Sequence, residues 1–163
     1  MIVSDSTILI VLIDLKREDL FLNLFKKVYL PKAVYKELCY KNEIELADFF
    51  EILEVRNRSK VKELELLLDK GESEAIVLAL EKSLPLIIDE KKGRKVAKNL
   101  GIKIVGLLGI LYLNIKQGYI SKEEALSFLQ LAIKEGFRVD KALIDKVSTR
   151  PKYITYFNTM SLP

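Results

Sequence analysis

The sequence predicts an α/β fold, a three-layer α/β/α sandwich with a central parallel sheet, on three observations. Short apolar runs of strand length alternate with helix-length segments, and strands separated by helices pair in parallel through right-handed crossovers. Two of those runs end in a carboxylate, Ile2-Val3-Ser4-Asp5 and Leu86-Ile87-Ile88-Asp89, and in an open parallel sheet function gathers in the crevice beyond the strands' carboxyl ends. The 163 residues suit one domain, with half of them hydrophobic and 31% charged, a globular rather than a disordered composition.

Taken in order, Ile2 to Ser4 is the first strand, and Ser6 or Thr7 caps a helix that runs to Leu15. A second helix covers Glu18 to Phe25. Val28-Tyr29-Leu30 is a short strand, and Pro31 takes the first position of a helix reaching Tyr40. Helix is expected again from Glu43 to Phe50, then a strand in Ile52-Leu53-Glu54-Val55. Ser59 to Leu68 is helical, Asp69-Lys70-Gly71 breaks it, and a new helix spans Glu72 to Lys82. Leu84 to Asp89 is a strand, Lys91 to Leu100 a helix ended by Gly101, and Ile102 to Val105 a strand. Helices at Leu108–Lys116, Lys122–Glu135 and Lys141–Lys146 complete a domain assigned to residues 1–147. The segment 148–163, with two prolines and three aromatics, is read as a C-terminal tail.

Composition removes several chemistries. With no histidine, Ser-His-Asp and Cys-His triads, histidine metal sites and histidine bases are excluded. Cys39 is the only cysteine, read as a partly buried structural thiol, so no intrachain disulfide forms. The 27 Lys and Arg against 23 Asp and Glu give a net charge of +4, compatible with a polyanionic partner. The amino terminus lacks the positive region of a secretory signal, and the longest uncharged run, Ile104 to Ile115, is too short to span a bilayer. The expected location is the cytoplasm, without membrane partners.

The acids are the informative residues. On a helical wheel Val34 and Leu38 face the core with Glu37 beside them, and Glu72 falls between Ile76 and Ala79 on the most apolar face of its helix. Glu74 lines up with Glu81 on the polar side. A carboxylate on a buried face needs a cation, hydrogen bonds or a proton. Convergence of Asp5, Glu37, Glu72 and Asp89 sets each pair about 5 Å apart repelling by about 3 kcal/mol at an effective dielectric of ~20. An all-oxygen ligand set points to Mg²⁺ or Mn²⁺, with hydroxyls of Ser4, Ser6 or Thr7 orienting Asp5. Five basic residues follow Asp89, namely Lys91, Lys92, Arg94, Lys95 and Lys98, and the first four are candidates for phosphate contacts. A second cluster holds Arg56, Arg58, Lys60 and Lys62. For each run the more general reading is a solvated face.

Val3-Ser4-Asp5-Ser6-Thr7, Pro31 to Leu38, Gly71 to Ala79 and Ile88 to Ala97, in this order and at this spacing, resemble the motifs of PIN-domain proteins, and more narrowly a VapC-related branch. Asp-Ser-Thr stands where Asp-Thr-Ser is more usual. The resemblance covers about residues 1–147. It implies a metal-dependent endoribonuclease acting on single-stranded RNA, commonly the toxin of a toxin–antitoxin pair and commonly a homodimer, with an antitoxin protein as partner. It assigns the four acids to Asp5, Glu37, Glu72 and Asp89, with Glu74 and Glu90 as alternatives. A bound cation would activate water and stabilise charge on the phosphate. The rival readings are a noncatalytic PIN-like module that binds RNA or protein and, at greater distance, a receiver or phosphatase. Thr7 occupies the place where a haloacid-dehalogenase-type phosphatase needs its second Asp.

Overall fold

The chain begins in the middle of its own sheet. In the computed structural model, which describes residues 1–41, 44–144 and 146–147, β1 (Ile2–Ser4) lies between β2 (Val28–Pro31) and β4 (Leu86–Ile87). β3 (Phe50–Leu53) and β5 (Ile104–Val105) form the edges, giving the order β3-β2-β1-β4-β5 with every pairing parallel. β1 leads towards β2 and β4 leads towards β5, so the connections diverge between the two central strands. That divergence is the topological switch point where α/β sheets open a crevice at their carboxyl edge.

The strands sort their side chains with a period of two. Ile2, Val28, Leu30, Ile87 and Val105 belong to one core. Val3, Leu86, Ile88 and Ile104 belong to the other. The first core is covered by α1 (Ser6–Asp14), α2 (Asp19–Leu22), α3 (Lys32–Lys41), α7 (Leu107–Lys116) and α8 (Lys122–Lys134), and Ile144 of α9 (Lys141–Ile144) packs at its margin. The second is covered by α4 (Arg58–Leu64), α5 (Lys70–Lys82) and α6 (Lys91–Asn99). Fully buried side chains such as Leu9, Leu12, Ile76 and Leu78 each contribute about 1.5–3 kcal/mol. The result is the α/β/α sandwich expected from the sequence.

Several boundaries differ from expectation. The helix expected over 43–50 does not form among its described residues. Ile44 and Leu46 are half-buried while Glu45 and Ala47 are exposed, a two-residue alternation that suits extended chain, and Phe50 already starts β3. Pro31 closes β2 instead of opening α3, and the strand expected at 52–55 sits at Phe50–Leu53. Gly71 does not break a helix; Asp69 caps α5 by accepting from the Glu72 backbone N–H at 2.8 Å, which places Gly71 inside the first turn. Cys39 is exposed rather than buried, because the inward face of α3 is taken by Val34 and Leu38. The proposed tail, 148–163, lies outside the described residues. Among the described residues, no helix is long and apolar enough to cross a membrane.

Candidate functional site

Asp5 leaves the end of β1 as the N-cap of α1, yet its side chain makes no capping hydrogen bond. An aspartate in that position ordinarily contributes about 0.5–2 kcal/mol by capping. Its backbone is fully committed: Asp5 N–H donates to Ile87 O at 3.0 Å, and Ser4 Oγ donates to Asp5 O at 2.9 Å. Ser4 therefore holds the Asp5 peptide rather than its carboxylate. That carboxylate is 1% exposed, and neither oxygen has a hydrogen-bond partner. Burial first, then the charges of Asp89, Glu72 and Asp69, push its pKa well above the usual carboxylate range. The Thr7 backbone N–H faces it outside hydrogen-bond geometry and offsets only part of this.

Asp89 follows β4, whose Ile87 pairs with Ser4 of β1, so both aspartates emerge at the same edge. Asp89 Oδ1 accepts from Leu107 N–H at 3.2 Å, at the amino end of α7, and Arg94 Nη1 lies 3.6 Å from it. Burial and the charge of Glu90 raise its pKa, while the amide and Arg94 oppose them. Arg94, expected on an RNA phosphate, is thus turned onto an acid of the site.

Glu72 sits in the first turn of α5 and is 8% exposed, with Oε1 buried and unpartnered. Burial, then Asp69, then Glu90 and Glu37 raise its pKa to about 7, against a lowering contribution from the Asp69 backbone. Glu37, half-buried on α3, lines a crevice of about 820 Å³ together with Ser6, Thr7, Asp69, Asp89, Glu90 and Lys91. Glu37 and Asp89 thus line the crevice, while Asp5 and Glu72 are buried beside it, Asp5 within electrostatic reach of Asp89 and Glu72, and Glu72 of Glu37. Among the described residues, no three acids lie close enough together to hold a metal ion between them.

Glu74 is a different case. The wheel sets it on a polar face, yet it is 2% exposed. The reason is that α5 is enclosed by α3, α4 and α6 as well as the sheet, so it has no solvent side over Gly71 to Ala79. Glu74 Oε1 accepts from Arg58 Nη1 at 2.7 Å and Oε2 from Ala33 N–H at 2.9 Å. Both oxygens are engaged, Oε2 in holding the start of α3 and Oε1 the start of α4 against α5. Of the basic candidates, Lys91 lines the crevice, whereas Lys92 and Lys95 are exposed on α6. In the second cluster Lys60 pairs with Glu63, and Arg58 with Glu74.

Three glycines allow the backbone to pass close to the acids. A Cβ on Gly71 would meet Glu37 Oε1 at 2.6 Å, one on Gly93 would meet Glu72 Oε1 at 2.7 Å, and one on Gly106 would meet Asp89 Oδ1 and Arg94 Nη1. These positions select glycine by close approach rather than by turn geometry. Sequence reasoning missed Asp69, although the Asp69-x-x-Glu72 pattern ahead of an apolar run is a helix-start signal. It also missed Tyr40, Phe137 and Arg138, which line the same crevice and carry no local motif.

A search of curated proteins gives no match. A family model described as a PIN domain matches residues 1–152, spanning the sheet, both helical layers and every acid named above. The chain belongs to the PIN-domain family.

Proposed function

We propose that this chain is a metal-dependent endoribonuclease that hydrolyses phosphodiester bonds in single-stranded RNA. The PIN fold is a nuclease-type fold, which supplies the reaction class. The observation that carries the reading is Asp5, a carboxylate buried with both oxygens unpartnered beside Glu72 and Asp89. Burying such a group costs several kcal/mol unless a cation or a proton answers it. Asp5, Glu37, Glu72 and Asp89 offer only hard oxygen donors, and these suit Mg²⁺ or Mn²⁺. The ion, when bound, lowers the pKa of the attacking water and offsets charge on the scissile phosphate.

The chain's own residues supply orientation. The Leu107 amide and Arg94 hold Asp89 in place, and the Asp69 cap fixes the turn that carries Glu72. Lys91, at the crevice and at the amino end of α6, receives a flanking phosphate. Ser6 and Thr7 present hydroxyls along the same wall. Glu90, an exposed neighbour of Asp89, is available as an alternative ligand.

Asp5→Asn is expected to abolish Mn²⁺-dependent cleavage of a single-stranded RNA while leaving the circular dichroism spectrum and cooperative unfolding intact. Undiminished cleavage by that variant overturns the assignment. A wild-type protein that gains no thermal stability from Mn²⁺ and cleaves nothing is instead the noncatalytic module. The resemblance to VapC-related proteins extends the proposal to a cytoplasmic homodimeric toxin with an antitoxin partner. Growth arrest on expression, relieved by Asp5→Asn, tests that step.

A further inference from the structure

The crevice has a second half that holding a cation does not use. Ile10 and Val11 line it one turn along α1 from Ser6 and Thr7, and Phe137 and Arg138 approach from the segment after α8. Gly136 and the exposed carboxylate of Glu135 lie on the same side as Arg138, and Tyr40, 94% exposed, stands at the wall of α3. It follows Glu37 by three residues, so the two share a face of α3. An aromatic ring left in water adds almost nothing to folding, whereas aromatic rings gain strongly from stacking or burial. The whole crevice, acid side included, measures about 820 Å³, within the range of roughly 300–1,000 Å³ found for clefts that take organic ligands and more than an ion needs.

We propose that this half is a nucleobase slot, in which one unpaired base stacks on Tyr40 against the apolar lining while Lys91 and Arg138 take the phosphates on either side. The inference rests on the nuclease reading for the position of the scissile bond. It deepens that reading by stating what selects a single strand. A base in a duplex is already stacked and paired, so only an extruded or single-stranded base can enter. Stacking on an aromatic platform is tolerant of base identity, because every base has a π-face. Selection at Tyr40 is therefore for an available base rather than for a sequence.

The test is equilibrium binding of a short fluorescent oligouridine, and of the same sugar–phosphate backbone without bases, to the full chain carrying Asp5→Asn to silence cleavage. Adding Tyr40→Ala is expected to weaken oligouridine binding roughly 5- to 100-fold, with Tyr40→Phe retaining most of the affinity. On the abasic backbone the tyrosine and alanine proteins should bind alike. Because Tyr40 touches little of the protein, its substitution leaves the melting temperature unchanged. Equal affinity of both proteins for oligouridine, an equal loss on both ligands, or no binding to either overturns the slot. Tyr40-dependent binding by a chain whose wild type never cleaves RNA sinks the nuclease reading and leaves the slot standing.

Discussion

Glu72 gives the sharpest quantitative expectation. In the metal-free protein its pKa rises from 4.5 to about 7, so the folded state binds this proton more tightly than the unfolded chain does. The associated stability is fully present below about pH 4.5 and is lost as pH rises through about 7. A rise of that size corresponds to about 3 kcal/mol. Water in the adjoining crevice screens part of it, which leaves about 2 kcal/mol as the cost of ionised Glu72 at pH 8. Glu72→Gln removes the charge and keeps the shape. With metal chelated, the variant should be about 2 kcal/mol more stable than wild type at pH 8, or about 4–8 °C in melting temperature for a domain of this size. The two proteins should converge near pH 4.5. Urea unfolding across this pH range reads the difference directly. Parallel pH–stability curves, or a wild type more stable than the variant at pH 8, would refute the assignment of a buried, charge-crowded Glu72.

Mn²⁺ answers the same charges, so its stabilisation should grow from pH 6 to pH 8 as Glu72 loses its proton, approaching about 2.7 kcal/mol at a hundredfold excess over the dissociation constant; a pH-independent gain measured by thermal melting counts against Glu72 as a ligand. Gly71→Ala puts a methyl group against the end of a flexible Glu37 side chain and adds up to about 1 kcal/mol of helix propensity. Its metal-free stability should therefore hold or rise while its Mn²⁺-dependent melting shift shrinks. Arg58→Ala leaves the Glu74 carboxylate buried with only the Ala33 amide, and should cost about 1–3 kcal/mol in urea unfolding; a neutral result would show that the pair does not secure α4 against α5.

Where a local rule and the tertiary environment agree, the sequence was readable. Asp5 and Asp89 end apolar strand runs, and parallel pairing alone carries both to one edge. Val34 and Leu38 face inward on α3 as the wheel requires, and both are fully buried. The same wheel misplaces Glu74, because amphipathic reasoning assumes one solvent face and α5 has none over that stretch. Residues 44–47 carry an alternation of period two that was overridden by their helix-compatible composition. Asp69 looks like a loop residue in isolation, and its role shows only through the cap it makes on the Glu72 backbone N–H. For Tyr40 and the Phe137–Arg138 wall no short-range signal exists, since the crevice they line is assembled by segments far apart in the chain.

The diverging connections at the sheet's centre also set when the site comes into being. Asp5 follows β1, its neighbour Asp89 follows β4, and the amide that clamps Asp89 belongs to Leu107, beyond the edge strand. In chain order the clamp is therefore supplied after every acid it serves. Truncation between Glu90 and α7 would retain every candidate ligand and still lack the Leu107 amide that holds Asp89.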